Sequence, residues 1–397
     1  MKAMTESDLH ISRKELLKPI KRVVVKIGSG VLTAKNGLNK RVINDLSHDI
    51  NDLKKKKVEV ILVSSGAIAS GMKKIGISKR PHSISEQQAI ASVGQSSLMM
   101  AYEDAFGRHG RKVAQILITR DDLNHRRRYL NARNTIFTLL SWQIIPIINE
   151  NDTVAVDEIK FGDNDNLSAM VTNMTEAHLL INLTDIDGLF DKDPHGHKDA
   201  HLIPLVEKVT REMINYAGLI PGFLGTGGMA SKIQAARKTT LRGVPAIIAN
   251  GRRRHILKKI FDGNDQGTLF MPQKTTLGCR KHWIAFTKSP KGEIVIDKGA
   301  GDAILKNGKS LLPSGIKAVK GRFGQGDSVV LLDENHQELA IGMVNYNAGD
   351  IQKIMGAKSE EIEARLGHKH DDEVIHRDNL VITYSMDEGE DACRSKG

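Results

Sequence analysis

Short apolar runs alternate with helix-length segments through the first two-thirds of this 397-residue chain. Runs of this kind, rich in Val and Ile, are typical of strands that are buried on both faces of a sheet. The runs lie at residues 23–28, 58–65, 112–119, 144–150, 179–185 and 244–251, and the helix-length segments lie at 40–55, 86–107, 126–142, 165–176 and 229–242. Strand–helix alternation predicts an α/β fold, in which a largely parallel sheet lies between two layers of helices.

The alternation ends near residue 272. Residues 280–346 carry short strand-like runs divided by Gly-rich turns, and a helix-like segment follows at 349–367. This change of pattern predicts a small, mainly β second domain. The predicted organisation is a polar N-terminal extension at 1–20, a first domain at 21–272, a second domain at 280–368 and a loose, charged C-terminal tail at 369–397.

The composition indicates a cytoplasmic location. No apolar run reaches the length of a membrane span, and the polar N-terminus has no apolar core of a secretory signal. The two cysteines, Cys279 and Cys393, lie far apart, which fits a reducing compartment and not a disulfide framework. We therefore expect a cytoplasmic protein with no membrane segment.

The net charge of +11 suits either a nucleic-acid surface or the attraction of small anions such as nucleotides. Basic runs occur at 54–57, 126–128 and 252–254, each near a predicted helix and without interleaved aromatic residues. We interpret each run as the solvated face of a helix.

Several histidines stand close together at His195, His197 and His201. A zinc site is conceivable from this spacing, but no cysteine is near, and histidines in loops are commoner than ligands. We therefore predict no metal-ligating side chains.

Ligands of parallel sheets bind beyond the carboxyl ends of the strands, and the ends here are polar. The first run ends in KIGSG, where Lys26 interrupts an apolar strand and Gly28 and Gly30 allow a ligand to approach the backbone. A buried lysine is costly without an anion, although a lysine at the sheet edge beside a plain turn is the alternative. The second run ends at Ser65, before a helix that offers either an anion site or an ordinary N-cap.

Acids and amides cluster at further strand ends. They form INEND at 148–152, GDNDN at 162–166 and TDIDGL at 184–189. One such cluster would be a solvated loop, whereas three on the ligand-binding edge indicate binding of an ammonium group or Mg²⁺, or orientation of lysines.

A second Gly-rich segment, GTGGMASK at 225–232, leads into a predicted helix with Ser231 and Lys232 in its first turns. Glycines, a helix N-terminus and a lysine together indicate a phosphate cradle. The spacing is not that of a Walker A motif, and the match to a dinucleotide motif is weak because no clear strand precedes it.

Two lysines and two Gly-rich turns without a candidate base favour phosphoryl transfer, which depends on positioning and charge neutralisation. A carboxylate nucleophile needs no base, because its pKa of about 4.3 leaves it ionised at neutral pH. The product would be an acyl phosphate. The acids and amides at 149–166 would then bind the ammonium group of an amino-acid substrate.

Together these motifs resemble those of the glutamate 5-kinases, in the amino acid kinase superfamily. The similarity runs from residue 21 to 272 through VVVKIGSGVLT, VSSGAIASG, VGQ, LNARNT, INENDTVA, FGDNDNLSA, LTDIDGLFDKDP and GTGGMASKIQAA. The second domain resembles a PUA domain, through GEIVIDKGAGDAILKNGKSLLPSGI and FGQGDSVVLL. The implied fold is the amino-acid-kinase three-layer sandwich followed by a PUA-like domain.

The resemblance implies phosphorylation of the side-chain carboxylate of L-glutamate by ATP with Mg²⁺, the first step of proline biosynthesis. It implies catalytic roles for Lys26 and Lys232, which would neutralise the transferred phosphoryl group, and for Asp165, which would orient both lysines. It implies glutamate binding by Ser65, Asp152 and Asn164. It implies ATP binding by Lys26, Gly28, Thr184, Asp185, Thr226, Gly227, Gly228, Met229, Ala230, Ser231 and Lys232.

The resemblance also implies partners. These are proline as a feedback inhibitor, further copies of the chain in a dimer or tetramer, and functional coupling to a glutamyl-phosphate reductase. One departure from the family pattern is Gly30, where Ser or Ala is expected.

Two alternatives stay open. A related kinase could act on N-acetylglutamate, aspartate, carbamate or UMP, although INEND and GDNDN favour a free ammonium group. A PUA-type RNA-binding protein would fit the basic charge, but the second domain has few aromatic residues for base stacking.

Overall fold

The chain divides into two units, Met1–Thr276 and Leu277–Gly397. The computed structural model describes residues 13–34, 37–155, 163–194, 196–210, 213–214, 228–273 and 290–383. No helix within these ranges is long and apolar enough to cross a membrane.

An eight-stranded sheet forms the centre of the first unit, in the order β5-β6-β4-β1-β7-β9-β10-β8. Its strands are β1 (Arg22–Ile27), β4 (Glu59–Ser64), β5 (Val113–Ile118), β6 (Ile145–Glu150), β7 (Leu179–Thr184), β8 (Leu205–Val206), β9 (Ala246–Asn250) and β10 (Thr268–Phe270), while β2 (Thr33–Ala34) and β3 (Gly37–Leu38) form a separate ribbon. Neighbours pair in parallel except β9 and β10, which pair antiparallel. The largely parallel sheet predicted from the sequence is confirmed.

Helices cover both faces of this sheet. They are α1 (Ser29–Leu32), α2 (Lys40–Lys55), α3 (Ala67–Lys74), α4 (Ile84–Gly107), α5 (Arg120–Asn124), α6 (Arg126–Ser141), α7 (Asp163–Met174), α8 (Met229–Thr240) and α9 (Ile256–Phe261). Val25 of β1 packs in one apolar cluster with Leu46 of α2, whereas its neighbour Val24 packs in the opposite cluster with Val171 of α7. Because alternate residues of a strand face opposite sides, both sides of β1 are buried, which explains its continuous apolar run.

Two glycines allow α3 and α4 to pack backbone against backbone. A Cβ atom on Gly94 would lie 1.8 Å from the Ala67 carbonyl oxygen, and one on Gly71 would lie 1.9 Å from that of Ile90. No other residue fits at these contacts. The close packing fixes the position of Gln95, which follows Gly94 on α4.

The predicted N-terminal extension needs correction, because its last residues belong to the first unit. Residues 13–17 are helical, and Leu17 and Ile20 are buried in the same apolar cluster as Val25. The guanidinium of Arg13 is buried and donates to the carbonyl oxygens of Pro204, Gln266 and Gly267. The polar composition hid this contact, since an arginine that binds carbonyls cannot be told from a solvated one in sequence.

The second unit is built on a five-stranded sheet in the order β12-β11-β13-β14-β15. Its elements are β11 (Gly292–Ile296), α10 (Lys298–Asn307), β12 (Ile316–Gly321), β13 (Ser328–Leu332), β14 (Glu338–Met343), α11 (Ala348–Ile354), α12 (Ile362–Leu366) and β15 (Leu380–Ile382), with 3₁₀ turns at Pro313–Gly315, Ser359–Glu361 and Arg377–Asn379. The β11–β13 pair is parallel and the other pairs are antiparallel. The small, mainly β unit expected from the sequence is confirmed.

The predicted tail at 369–397 also needs correction. Val374, Ile375 and Val381 are buried, and β15 pairs with β14 as the edge strand of the second sheet. Charged residues flank Val374 and Ile375 in HDDEVIHRDNL, and this masked their contribution to the core. The described part of the second unit thus extends to residue 383.

Candidate active site

The carboxyl ends of β6, β4, β1, β7 and β9 lie side by side, because these neighbouring strands are parallel. Polar residues stand at each of these ends. Lys26 is the last residue but one of β1, Ser65 follows β4, Asp152 follows β6, and Thr184 ends β7. The structure thus brings together candidates that are widely separated in sequence.

Asp165, in the first turns of α7, links two lysines. Its Oδ1 lies 2.5 Å from Lys26 Nζ and accepts a hydrogen bond of 2.8 Å from Asn182. Its Oδ2 lies 2.6 Å from Ser231 Oγ and 3.4 Å from Lys232 Nζ. The carboxylate is fully buried, so a single acid joins a central strand to the amino-terminal turns of α8.

Burial and charge act in opposite directions on Asp165. Burial alone would raise its pKa, but Lys26 and Lys232 outweigh this effect and lower the pKa to about 2. The pKa of Lys232 is also lowered, chiefly by burial, and the charge of Lys26 adds to this effect while Asp165 opposes it. Asp165 is therefore ionised at every pH at which the chain would work.

A chain of side-chain amides lies beside this cluster. The Asn164 Nδ2 group donates to Ser65 Oγ at 2.8 Å and to Asn149 Oδ1 at 3.0 Å. The Asn149 Nδ2 group donates in turn to Gln95 Oε1 at 2.9 Å. Ser65 and Asn164 were both expected at one site, and the structure joins them directly.

Asp152 lies half-buried two residues beyond β6. Burial raises its pKa to about 6, although the positive charge of Arg80 acts in the opposite direction. A carboxyl group with this pKa changes its charge near neutral pH. It is the one predicted substrate contact whose charge depends on conditions in this range.

The turn after β1 lies against the end of β7. The Gly28 N–H group donates to the Leu183 carbonyl at 3.0 Å, and Thr184 Oγ1 lies 3.2 Å from Asp185 Oδ1. A Cβ atom on Gly30 would lie 2.8 Å from Asp185 Oδ2. The departure from Ser or Ala at position 30 thus leaves room for the Asp185 carboxylate.

The segment Gly228 to Lys232 forms the start of α8, with Met229 buried and Ser231 and Lys232 directed to Asp165. Within the described residues, no side-chain hydrogen bond caps this twelve-residue helix at Gly228. Its first N–H groups therefore offer an anion site. The predicted ATP contacts Thr226 and Gly227 lie outside the described residues.

Sequence reasoning missed the roles of Asn182, Gln95 and Arg252, and it gave Asn149 no role apart from the other acids and amides of 149–166. Asn149 was noticed only as part of INEND, and Gln95 only as part of VGQ. Asn182 sits inside an apolar run, where a lone amide was the available signal of a buried polar contact. The partners of these residues are remote in sequence, so their roles depend on the fold.

The basic run at 252–254 differs from its prediction as a solvated helix face. It lies in the turn between β9 and α9, where Arg252 Nη2 donates to the Gly30 carbonyl at 2.7 Å. Arg253 Nη2 lies 2.5 Å from Asp187 Oδ2. This run therefore ties the end of β9 to the turn after β1 and to the segment after β7.

A family model described as the amino acid kinase family matches residues 21–250, and a PUA domain model matches residues 292–366. The first match covers β1 to β9 with the lysine–aspartate cluster, and the second covers most of the second sheet. The chain belongs to the amino acid kinase family.

Three curated relatives, each named glutamate 5-kinase, span almost the whole chain. The protein of Geobacter sulfurreducens is 53% identical over 93% of this chain and 100% of its own length. That of Syntrophus aciditrophicus is 53% identical over 94% and 96%, and that of Caldanaerobacter subterraneus subsp. tengcongensis is 48% identical over 91% and 97%. The resemblance to the glutamate 5-kinases and to a PUA domain is thereby confirmed.

Proposed function

We propose that this chain transfers the γ-phosphoryl group of ATP to the side-chain carboxylate of L-glutamate. The products would be ADP and γ-glutamyl phosphate, as in the first step of proline biosynthesis. The observation that carries the proposal is the fully buried Asp165 carboxylate, held between Lys26 and Lys232 at the carboxyl edge of the sheet. The shared name of the three relatives supports the choice of glutamate.

Lys26 and Lys232 both lie beside the Asp165 carboxylate, so two positively charged side chains meet at this position. Phosphoryl transfer gains most from such fixed charges, since they stabilise negative charge on the transferred oxygens. We propose that Lys26 and Lys232 bind those oxygens. Asp165 would keep both lysines in place while the charge on the phosphoryl group changes.

We propose that Ser65, Asn164 and Asp152 bind glutamate. An ionised Asp152 would attract the ammonium group, and Asn164 would accept a hydrogen bond from it through Oδ1. The γ-carboxylate needs no base, because it is ionised at neutral pH. The site would therefore orient this carboxylate and would not deprotonate it.

The residues also fit ATP and Mg²⁺. The α8 N-terminus at Gly228 and the turn at Gly28 would contact phosphates, with Thr184 and Asp185 close by. Within the described residues, no group of three or more His, Cys, Asp or Glu side chains is arranged to hold a metal ion. Mg²⁺ commonly binds through substrate phosphates and few carboxylates, so we propose that it enters with ATP and neutralises phosphate charge.

A hydroxylamine trap tests this function. The chain is incubated with MgATP and, separately, L-glutamate, N-acetylglutamate or aspartate, and the hydroxamate formed from an acyl phosphate is measured. We expect hydroxamate with L-glutamate. The variant Lys26→Met should abolish it, whereas Lys21→Met, which changes an exposed lysine just before β1, should not.

Other outcomes would separate the alternatives. Hydroxamate with N-acetylglutamate or aspartate, and none with glutamate, would keep the kinase and change its substrate. ADP release with UMP or carbamate alone would indicate another member of the same family. No phosphoryl transfer, together with RNA retention that survives moderate salt, would favour an RNA-binding role of the PUA-like unit.

The remaining partners are proposals of the same kind. We propose a cytoplasmic enzyme that is inhibited by proline, forms a dimer or tetramer and is coupled to a glutamyl-phosphate reductase. Proline titration of the glutamate reaction would test the inhibition, and the mass of the full chain in solution would test the dimer or tetramer.

A further inference from the structure

Asn164, Asn149 and Gln95 form a chain of side-chain amides. In each hydrogen bond of this chain, the NH₂ group of one residue donates to the side-chain oxygen of the next. An amide NH₂ group can donate two hydrogen bonds, and its oxygen can only accept. Asn164 uses its Nδ2 group toward both Ser65 and Asn149, so its oxygen is the atom that stays available. Among the described residues, Asn164 Oδ1 is buried and has no hydrogen-bond partner.

The side-chain amide of Asn149 links Asn164 to Gln95. Its Oδ1 accepts from Asn164, so its Nδ2 group must point the other way, toward Gln95 Oε1. If Gln95 presented its NH₂ group instead, Asn149 would turn its oxygen toward Gln95 and its NH₂ group toward Asn164. Asn164 would then turn its oxygen inward and present a donor in place of an acceptor.

Gln95 lies buried at the end of this chain of amides, on a closely packed turn of α4. Its side chain is 9% exposed, and the contact of Gly94 with the Ala67 backbone fixes the turn of α4 that carries it. No other described residue bonds its Nε2 group, so Oε1 alone ties Gln95 to the chain of amides.

We propose that Gln95 is a positioning residue for substrate recognition. Acting through Asn149, it fixes the side-chain amide of Asn164 so that an oxygen, and not an NH₂ group, meets the ammonium group of the amino-acid substrate. This inference rests on the proposed function and deepens it. It assigns the preference for a free amine to a residue that does not itself contact the substrate.

The test compares Gln95→Met, which keeps the size and removes the acceptor, with Gln95→Glu, which keeps an acceptor at the same place. Ser96→Ala, at the exposed neighbour on α4, is the matched control. The KM values for glutamate and for MgATP, kcat and the thermal unfolding midpoint are measured for each full-length variant. We expect Gln95→Met to raise the glutamate KM by roughly tenfold, the size of one neutral hydrogen bond, with the MgATP KM unchanged.

Gln95→Glu should have a glutamate KM close to that of the wild-type chain, because a carboxylate can still accept the hydrogen bond from Asn149. A structural role alone would lower the unfolding midpoint and change both KM values together. An unchanged glutamate KM in Gln95→Met, or equal effects of Gln95→Met and Gln95→Glu, would overturn the inference. Because the wild-type chain is assayed first, absence of its glutamate activity would instead overturn the proposed function.

Discussion

Lys232 Nζ lies 3.4 Å from Oδ2 of Asp165, at the long end of the hydrogen-bond range. Lys26 Nζ lies 2.5 Å from the other oxygen of the same carboxylate. Lys26 therefore makes the closer contact with Asp165, and the ammonium group of Lys232 also lies 3.5 Å from the Gly228 carbonyl oxygen. The two lysines thus lie at different distances from one acid.

The first prediction concerns Lys232→Ala. Loss of a preorganised charge should lower kcat by roughly a hundredfold or more. Steady-state kinetics with saturating glutamate and MgATP would measure this, with Lys258→Ala as the control because Lys258 is an exposed lysine on α9. Unchanged turnover would remove Lys232 from the mechanism.

The second prediction concerns pH and Asp152. Its pKa is raised to about 6, so the fraction of the charged carboxylate rises as pH increases through that value. The ammonium group of the substrate stays protonated in this range, so the glutamate KM should fall between pH 5 and pH 7, by roughly tenfold if the charge is required. Asp152→Asn should raise the glutamate KM more than the ATP KM and should remove this pH dependence. A glutamate KM that varies with pH equally in both proteins would contradict the assignment.

The third prediction concerns the contact between Gly30 and Asp185. A methyl group at position 30 would meet Asp185 Oδ2 at 2.8 Å, and this exposed carboxylate would have to move. Gly30→Ala should raise the MgATP KM by roughly threefold, as expected for disturbing one exposed polar contact. Asp185→Ala should have a larger effect, and the double variant should be no worse than Asp185→Ala alone. Independent, additive effects would show that the contact does not matter.

The fourth prediction concerns Arg13. Its buried guanidinium donates to three carbonyl groups, and removing it would take one hydrogen-bond donor away from each of them. Arg13→Ala should lower the unfolding free energy of the first unit by about 3 kcal/mol. The urea midpoint for loss of kinase activity reports on this unit, and Glu15→Ala is an exposed control. An equal midpoint for the two variants would mean that the contact contributes nothing.

The strands of the first unit could be predicted closely from the sequence. The run at 58–65, for example, became β4 at Glu59–Ser64, and the segment at 40–55 became α2 at Lys40–Lys55. Strands buried on both faces need apolar residues at almost every position, so each strand leaves a visible run. The antiparallel orientation of β10 could not be predicted, because the apolar residues of a three-residue strand do not indicate its direction.

The candidate active site could be predicted in part. Lys26 and Lys232 stand out as charges next to glycines, and Asp165 as one of several acids. Gln95 and Asn149 do not stand out, because their hydrogen bond joins residues that are 54 positions apart. Which atom of an amide faces the substrate depends on the whole chain of contacts, and no local pattern encodes it.

The contact between Arg252 and the Gly30 carbonyl has a consequence for the order of events during synthesis. The two residues are 222 positions apart, so the ribosome adds Arg252 long after it has added the turn that follows β1. A nascent chain that ends before β9 can make β1 and its lysine but cannot complete this contact. We therefore expect the turn after β1 to reach its final arrangement only after translation has passed residue 252, late in the synthesis of the first unit.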